Sequence, residues 1–266
     1  MSAVAFAERP RFARQVSAII AREVRSRYTG DALGYSWAYV TPLAWIGLIY
    51  VTFTILNRAS PIDTDLGSFI MSGVLPYLAF RYQVNASIRA KAAYRHVMLL
   101  PGIAPGTIHF AIVVLEFYNA LLIYLVLLAL NYLMNGSFEV HHVLAWLFGF
   151  ALASGSGAAL GYAVSANASR PDSASRVMAV VLRPLFYISP IFYVAAELPE
   201  DVLWLLMWNP LLHAIELLRA GAFVSYQSHI GTAWMPLGFI VACVVAGRYG
   251  ETKFSGEIAP SEVSPE

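Results

Sequence analysis

The sequence predicts an all-α integral membrane protein: six transmembrane helices, an N-terminal amphipathic interface helix and a periplasmic re-entrant helical hairpin. Three observations predict it. Of the 266 residues 59% are apolar and only 12% are charged, and the mean hydropathy is +0.63; a soluble domain carries about 25% charged residues. The apolar residues come in continuous blocks rather than as scattered core positions. The charges are segregated along the chain, although they sum to a net charge of only +1. This excludes a soluble globular enzyme, a disordered chain and a strongly basic nucleic-acid binder.

The first 35 residues carry six Arg between Arg9 and Arg27 and no apolar stretch of the roughly 7–15 residues a cleavable signal needs. The first apolar run is therefore expected to serve as both targeting signal and span. Within 8–28, Phe12, Val16, Ile19, Ile20 and Val24 fall on one side of a helix, with Arg11, Arg14, Arg22 and Arg25 opposite. Residues 1–35 thus read as a cytoplasmic interface helix, its Arg towards lipid phosphates and its apolar face towards acyl chains. Glu23 and Arg27, an i,i+4 pair, interrupt the apolar stripe and point to protein contact at that end.

A spanning helix needs about 20 mostly apolar residues. The candidates are 36–56, 67–88, 107–133, 143–166, 177–195 and 231–247, within a transmembrane domain of residues 36–250. The apolar stretch 198–223 is cut by Asn209-Pro210, and neither piece reaches across a core of about 30 Å. It reads as a re-entrant or interfacial hairpin. Residues 251–266 are polar and predicted to form a disordered cytoplasmic tail. Thirteen of the 17 Lys and Arg lie before the first span, in the second-to-third and fourth-to-fifth loops, or after the last span. Arg58 and Arg219 lie on the other side, and Arg81 and Arg183 fall inside spans. Positive residues stay inside, so both termini are expected in the cytoplasm.

Ionisable groups in a span cost on the order of 2.5–3.5 kcal/mol each when unpaired. Arg81, Glu116 and Arg183 sit at similar depth, so either an Arg–Glu lock or a hydrated channel that attracts anions accounts for them. Aromatic residues crowd the first and fifth spans; Trp45, Tyr187 and Tyr193 are candidates to face that channel, while those near helix ends fit interfacial belts. Gly149, Ala153, Gly157 and Gly161 form a small-residue stripe that predicts close helix packing. In the hairpin, Asn209 suits an N-cap and Pro210 the first turn of a helix. His213, Glu216 and Arg219 then recur every three residues on one face, either as a neutral ion-paired stripe or as a face that meets a substrate or a partner. One His and one Glu are too few ligands for a metal, and the single Cys243 excludes an intrachain disulfide. A phosphate-binding loop of the Gly-Lys-Ser/Thr type is absent, because Lys91 precedes Ala92 and Lys253 precedes Phe254. An intramembrane serine protease lacks its Ser–His pair, since His109 is the lone His in a span.

The run Arg22-Glu23-Val24-Arg25-Ser26-Arg27-Tyr28, with Leu33-Gly34-Tyr35-Ser36-Trp37 and Pro42, resembles the approach to the first span in ABC-2-type permeases. Asp31 stands where that pattern usually has Ser. Ser72-Gly73-Val74-Leu75-Pro76-Tyr77 resembles the family's second-span element. Arg183-Pro184-Leu185-Phe186-Tyr187-Ile188-Ser189-Pro190, then Asn209-Pro210-Leu211-Leu212-His213-Ala214-Ile215-Glu216-Leu217-Leu218-Arg219, resembles the capsular-polysaccharide (KpsM-type) branch. The resemblance implies a multi-pass permease subunit in a bacterial inner membrane, forming a homodimer with two ATPase subunits that bind ATP and Mg. It also implies a lipid-linked acidic polysaccharide as substrate, and a periplasmic adaptor of the polysaccharide co-polymerase type with an outer-membrane exporter as partners. No cofactor belongs to this chain and no nucleic acid is involved. The ATPase would meet Arg22, Arg25, Arg27 and Tyr28 together with a short coupling helix around Tyr94, which brings Arg89, Lys91 and Arg95. O-antigen and teichoic-acid exporters are the alternative within the family.

Overall fold

The computed structural model describes residues 2–28, 37–94, 104–136, 140–168 and 170–255. The described residues form helices joined by short links, with no strand among them. In chain order these are α1 (Ser2–Tyr28), α2 (Trp37–Ile55), α3 (Leu66–Ala93), α4 (Pro105–Asn135), α5 (Val143–Asn167), α6 (Pro171–Ile188), α7 (Glu200–Leu206), α8 (Pro210–Ala222) and α9 (Trp234–Ser255). A single 3-10 turn, Ala195–Glu197, lies between α6 and α7.

Local chemistry sets the ends. Pro105, Pro171 and Pro210 each open a helix, where a missing N–H costs nothing. α4 stops at Gly136, whose φ of 71° is left-handed and whose N–H donates to the Tyr132 carbonyl at 2.8 Å. α6 occupies 171–188 rather than 177–195. It begins early because Pro171 fits its first turn, and it ends early because Ser189 precedes Pro190 and is pushed out of the helical region. α9 runs on to Ser255, so 251–255 continue the helix instead of opening a tail; 256–266 lie outside the described residues.

α5 is the hub of the packing, against α3 on one side and α8 and α9 on others. The small-residue stripe makes this contact, as its spacing predicts. A Cβ on Gly149 would stand 2.5 Å from the Leu218 nitrogen of α8, and one on Gly157 would run into the Phe80 carbonyl of α3. Here backbone meets backbone. Polar side chains tie the same helices together. Gln83 Nε2 donates to the Val113 carbonyl (2.9 Å) and to Ser154 Oγ (3.0 Å), joining α3, α4 and α5. Asn131 Nδ2 donates to Ser68 Oγ at 3.1 Å, at the opposite end of the bundle from α1.

By length and composition, α4 and α5 are each long and apolar enough to cross a membrane. Residues Val40–Ile55 of α2 form a shorter apolar helix, and α7 and α8 are bent against each other by 103° at their break. α1 departs from expectation. Part of its apolar stripe is covered by protein: Ile19, with Val16 and Ile20, packs on Ala86, Ala90 and Tyr94 at the α3 end and on Ile108, Ala111 and Ile112 of α4, while Phe12 stays 43% exposed.

Candidate functional site

A cleft of about 300 Å³ opens between α2, α3 and α6. Trp45 comes from α2; Val74, Tyr77, Leu78 and Arg81 from α3; Arg183, Phe186 and Tyr187 from α6. Gly73, Tyr77 and Arg81 recur every four residues along one face of α3. Arg81 lies twelve residues before the end of α3 at Ala93, and Arg183 twelve after the start of α6 at Pro171. Both therefore stand about 18 Å along their helices from that end. Tyr77 fixes the cleft wall. Its hydroxyl donates to the Leu182 carbonyl at 2.6 Å, and its ring meets Phe186 edge-on at 4.8 Å. Phe186 in turn faces Trp45 at 6.0 Å and Phe192 at 5.3 Å. Tyr187 remains 67% exposed and Trp45 42%. Two guanidinium groups beside exposed aromatic faces can hold an anionic, ring-bearing ligand.

Of the six residues expected to line a channel, four converge here. Glu116 does not: it is buried on α4 and is no part of the cleft lining. Tyr193 lies beyond the end of α6, where its hydroxyl donates to the Ile188 carbonyl and its ring packs near Ala195, Leu206 and Leu212.

The hairpin string folds inward. Asn209 caps α8 by accepting from the Leu211 N–H at 3.0 Å, and its amide donates to Ser189 Oγ at 3.1 Å. His213, Glu216 and Arg219 are all buried. They form neither an interfacial stripe nor a face for a partner, because each reaches a different part of the surrounding chain. His213 Nε2 lies 2.8 Å from the Met207 carbonyl, and the Thr232 N–H donates to Nδ1 at 3.3 Å. Glu216 Oε2 accepts from Tyr226 (2.5 Å) and Ser228 (2.8 Å). Burial first, and Glu216 second, push the Tyr226 phenol above its ordinary value, so it stays a donor. Arg219 is 0% exposed and lies over the Phe69 ring at 4.4 Å. Its Nε donates to Ser72 Oγ (3.1 Å), Nη1 to the Tyr193 carbonyl (2.8 Å) and Nη2 to the Ile191 carbonyl (3.2 Å). Of the missed residues, Ser72 opens the quoted second-span element but gave no sign of its partner, and Tyr226 and Ser228 carried no motif.

At the α1 end, Arg22, Arg25 and Arg89 are exposed. Tyr94 is buried, at 2% exposure, and its hydroxyl donates to Glu23 Oε2 at 2.6 Å while the Arg22 guanidinium covers its ring at 5.0 Å. Protein contact at Glu23 is as expected. Arg89 and Lys91 belong to the unbroken last turns of α3 instead of a separate coupling helix. Arg27 and Tyr28 close α1; their side chains and that of Lys91 lie outside the described part, and Arg95 lies outside the described residues.

The ABC-2 type transporter family matches residues 14–223, most of this chain. The chain belongs to the ABC-2 type transporter family. The polysialic acid transport protein KpsM of Escherichia coli is 28% identical over 218 residues, covering 80% of this chain and 83% of that protein. The capsule polysaccharide export inner-membrane protein BexB of Haemophilus influenzae is 25% identical over 261 residues, 93% of each. The O-antigen export system permease protein RfbA of Klebsiella pneumoniae is 22% identical over 251 residues, 88% of this chain and 90% of that one. Within this ABC-2 chain the family match takes in α2 to α8, and therefore the whole cleft and Arg219, while Tyr226, Ser228 and Thr232 lie just beyond it.

Proposed function

We propose that this chain is the permease subunit of an ATP-driven exporter of lipid-linked capsular polysaccharide in a bacterial inner membrane. The likeness to BexB over 93% of both chains carries the reading. ATP and Mg belong to a separate ATPase, two copies of which serve two copies of the permease; a periplasmic adaptor and an outer-membrane exporter continue the path. Six helices span the bilayer, both termini are cytoplasmic, and α7 with α8 forms the re-entrant hairpin on the periplasmic side. The exposed basic residues Arg22, Arg25 and Arg89 meet the ATPase. The cleft of Arg81, Arg183, Trp45 and Tyr187 guides the acidic polymer, its cations attracting the anion and its rings offering faces to sugars.

Deleting the gene should remove polymer from the cell surface and leave it inside the cell; the intact gene should restore export. Normal surface polymer after deletion would overturn the reading. The likeness to RfbA keeps O-antigen export as a second reading, and the chemical composition of the retained polymer separates the two.

A further inference from the structure

Arg219 has a role that the cleft itself does not reveal. A fully buried guanidinium is a poor choice for stability alone, because an apolar side chain of like volume often packs as well or better. What its fork does offer is a single geometry. All three of its hydrogen bonds bear on one place: the turn after α6, pinned to α3. Nη1 and Nη2 hold the Tyr193 and Ile191 carbonyls, while Nε holds Ser72 on α3. Beneath this turn there is no slack, since a Cβ on Gly73 would stand 2.8 Å from the Ile191 Cα. Elsewhere α6 is held to α3 by the Tyr77–Leu182 hydrogen bond and the Tyr77–Phe186 ring contact, but much of its length is open. Among its residues only Ala174 and Leu182 are buried, and the cleft residues Arg183 and Tyr187 lie on its exposed side.

We infer that Arg219 is a positioning residue for transport: it fixes the outer end of α6 against α3 and so sets how far Arg183 and Tyr187 stand from Arg81 and Trp45. The inference rests on the reading of the cleft as the polymer's path. Arg219 touches no substrate and acts through the 191–193 turn.

The test compares Arg219→Met, Arg219→Lys and Ser72→Ala in the complete transporter, in membranes, with the cleft residues intact for export. In a parallel set lacking Cys243, Trp45→Cys and Phe186→Cys report the position of α6 through the rate of cross-linking by a short bifunctional thiol reagent. In Arg219→Met, export at equal amounts of assembled transporter should fall about tenfold, as small misplacements of binding groups do. Its cross-linking rate should change as well. Arg219→Lys should recover part of both, and Ser72→Ala, which removes one bond of three, should fall between and covers a failure of Arg219→Met to assemble. Unchanged cross-linking in assembled Arg219→Met and Ser72→Ala would overturn the inference. Altered cross-linking with full export would also overturn the transport role, and would show that the reading of the cleft as the path had failed while the control of α6 stood.

Discussion

Arg183 shares its cleft with a second cation, and the carboxylate expected to neutralise it is buried elsewhere, on α4. Glu116 is no part of the cleft lining, so the cleft itself presents two cations. Arg183→Gln should lower export about tenfold at equal assembly, and adding Glu116→Gln should not restore it, because binding geometry at the cleft is lost either way. Arg183→Lys should keep part of the activity, as a point cation without the guanidinium fork. Full export by the double variant, measured against the amount of assembled transporter, would defeat this assignment. At the other end, Tyr94→Phe deletes the bond to Glu23 and should loosen α1 by about 1–2 kcal/mol. Faster protease cleavage of α1 in inverted vesicles would register it; unaltered cleavage would mean that the apolar contacts of Ile19 suffice. Sequence alone grouped Arg81, Arg183, Trp45 and Tyr187 by depth and type. It misread His213, Glu216 and Arg219, because a three-residue spacing states only that residues share a helix face, not that the face is turned to solvent. The partners of Arg219 lie 26 to 147 residues away, on α3 and in the turn after α6, and those of Glu216 come from a loop without pattern.

Helices were legible where apolar runs are long, as in α5, and most clearly where Pro and Gly also bound them, as in α4. α6 was less so, since an apolar run continues past Ser189-Pro190 although the backbone cannot stay helical there. The orientation of α1 was hidden for another reason: an amphipathic stripe fits lipid and protein equally. Two predictions belong at this scale. Gly157→Val would force the backbones of α5 and α3 apart and should cost about 3 kcal/mol or more, read as a lowered Tm of the purified protein. A Tm equal to that of the unaltered protein would show that the crossing can relax. Cysteines at Glu200 and Ser225, both exposed, should each label from the periplasm in a chain lacking Cys243. Labelling of one of them only from the cytoplasm would make α7 and α8 a span and not a hairpin.

Across the whole molecule, apolar side chains remain uncovered chiefly on the flanks. Leu48 and Val51 of α2 and Val177, Val180 and Val181 of α6 are all exposed, next to the cleft. A second copy seated on this side would close the cleft into an enclosed passage, and the purified permease should accordingly measure as a dimer by native mass. A purely monomeric mass would leave the cleft open to lipid. The interior has a different character. A crossing where main chain abuts main chain has no side-chain rotamers to exchange, so α5 cannot slide or roll against α3 or α8 in small steps. The soft places of the molecule must then be its rim helices, and a push delivered to α1 would be felt as a change in aperture at α2 and α6 before the centre yielded at all.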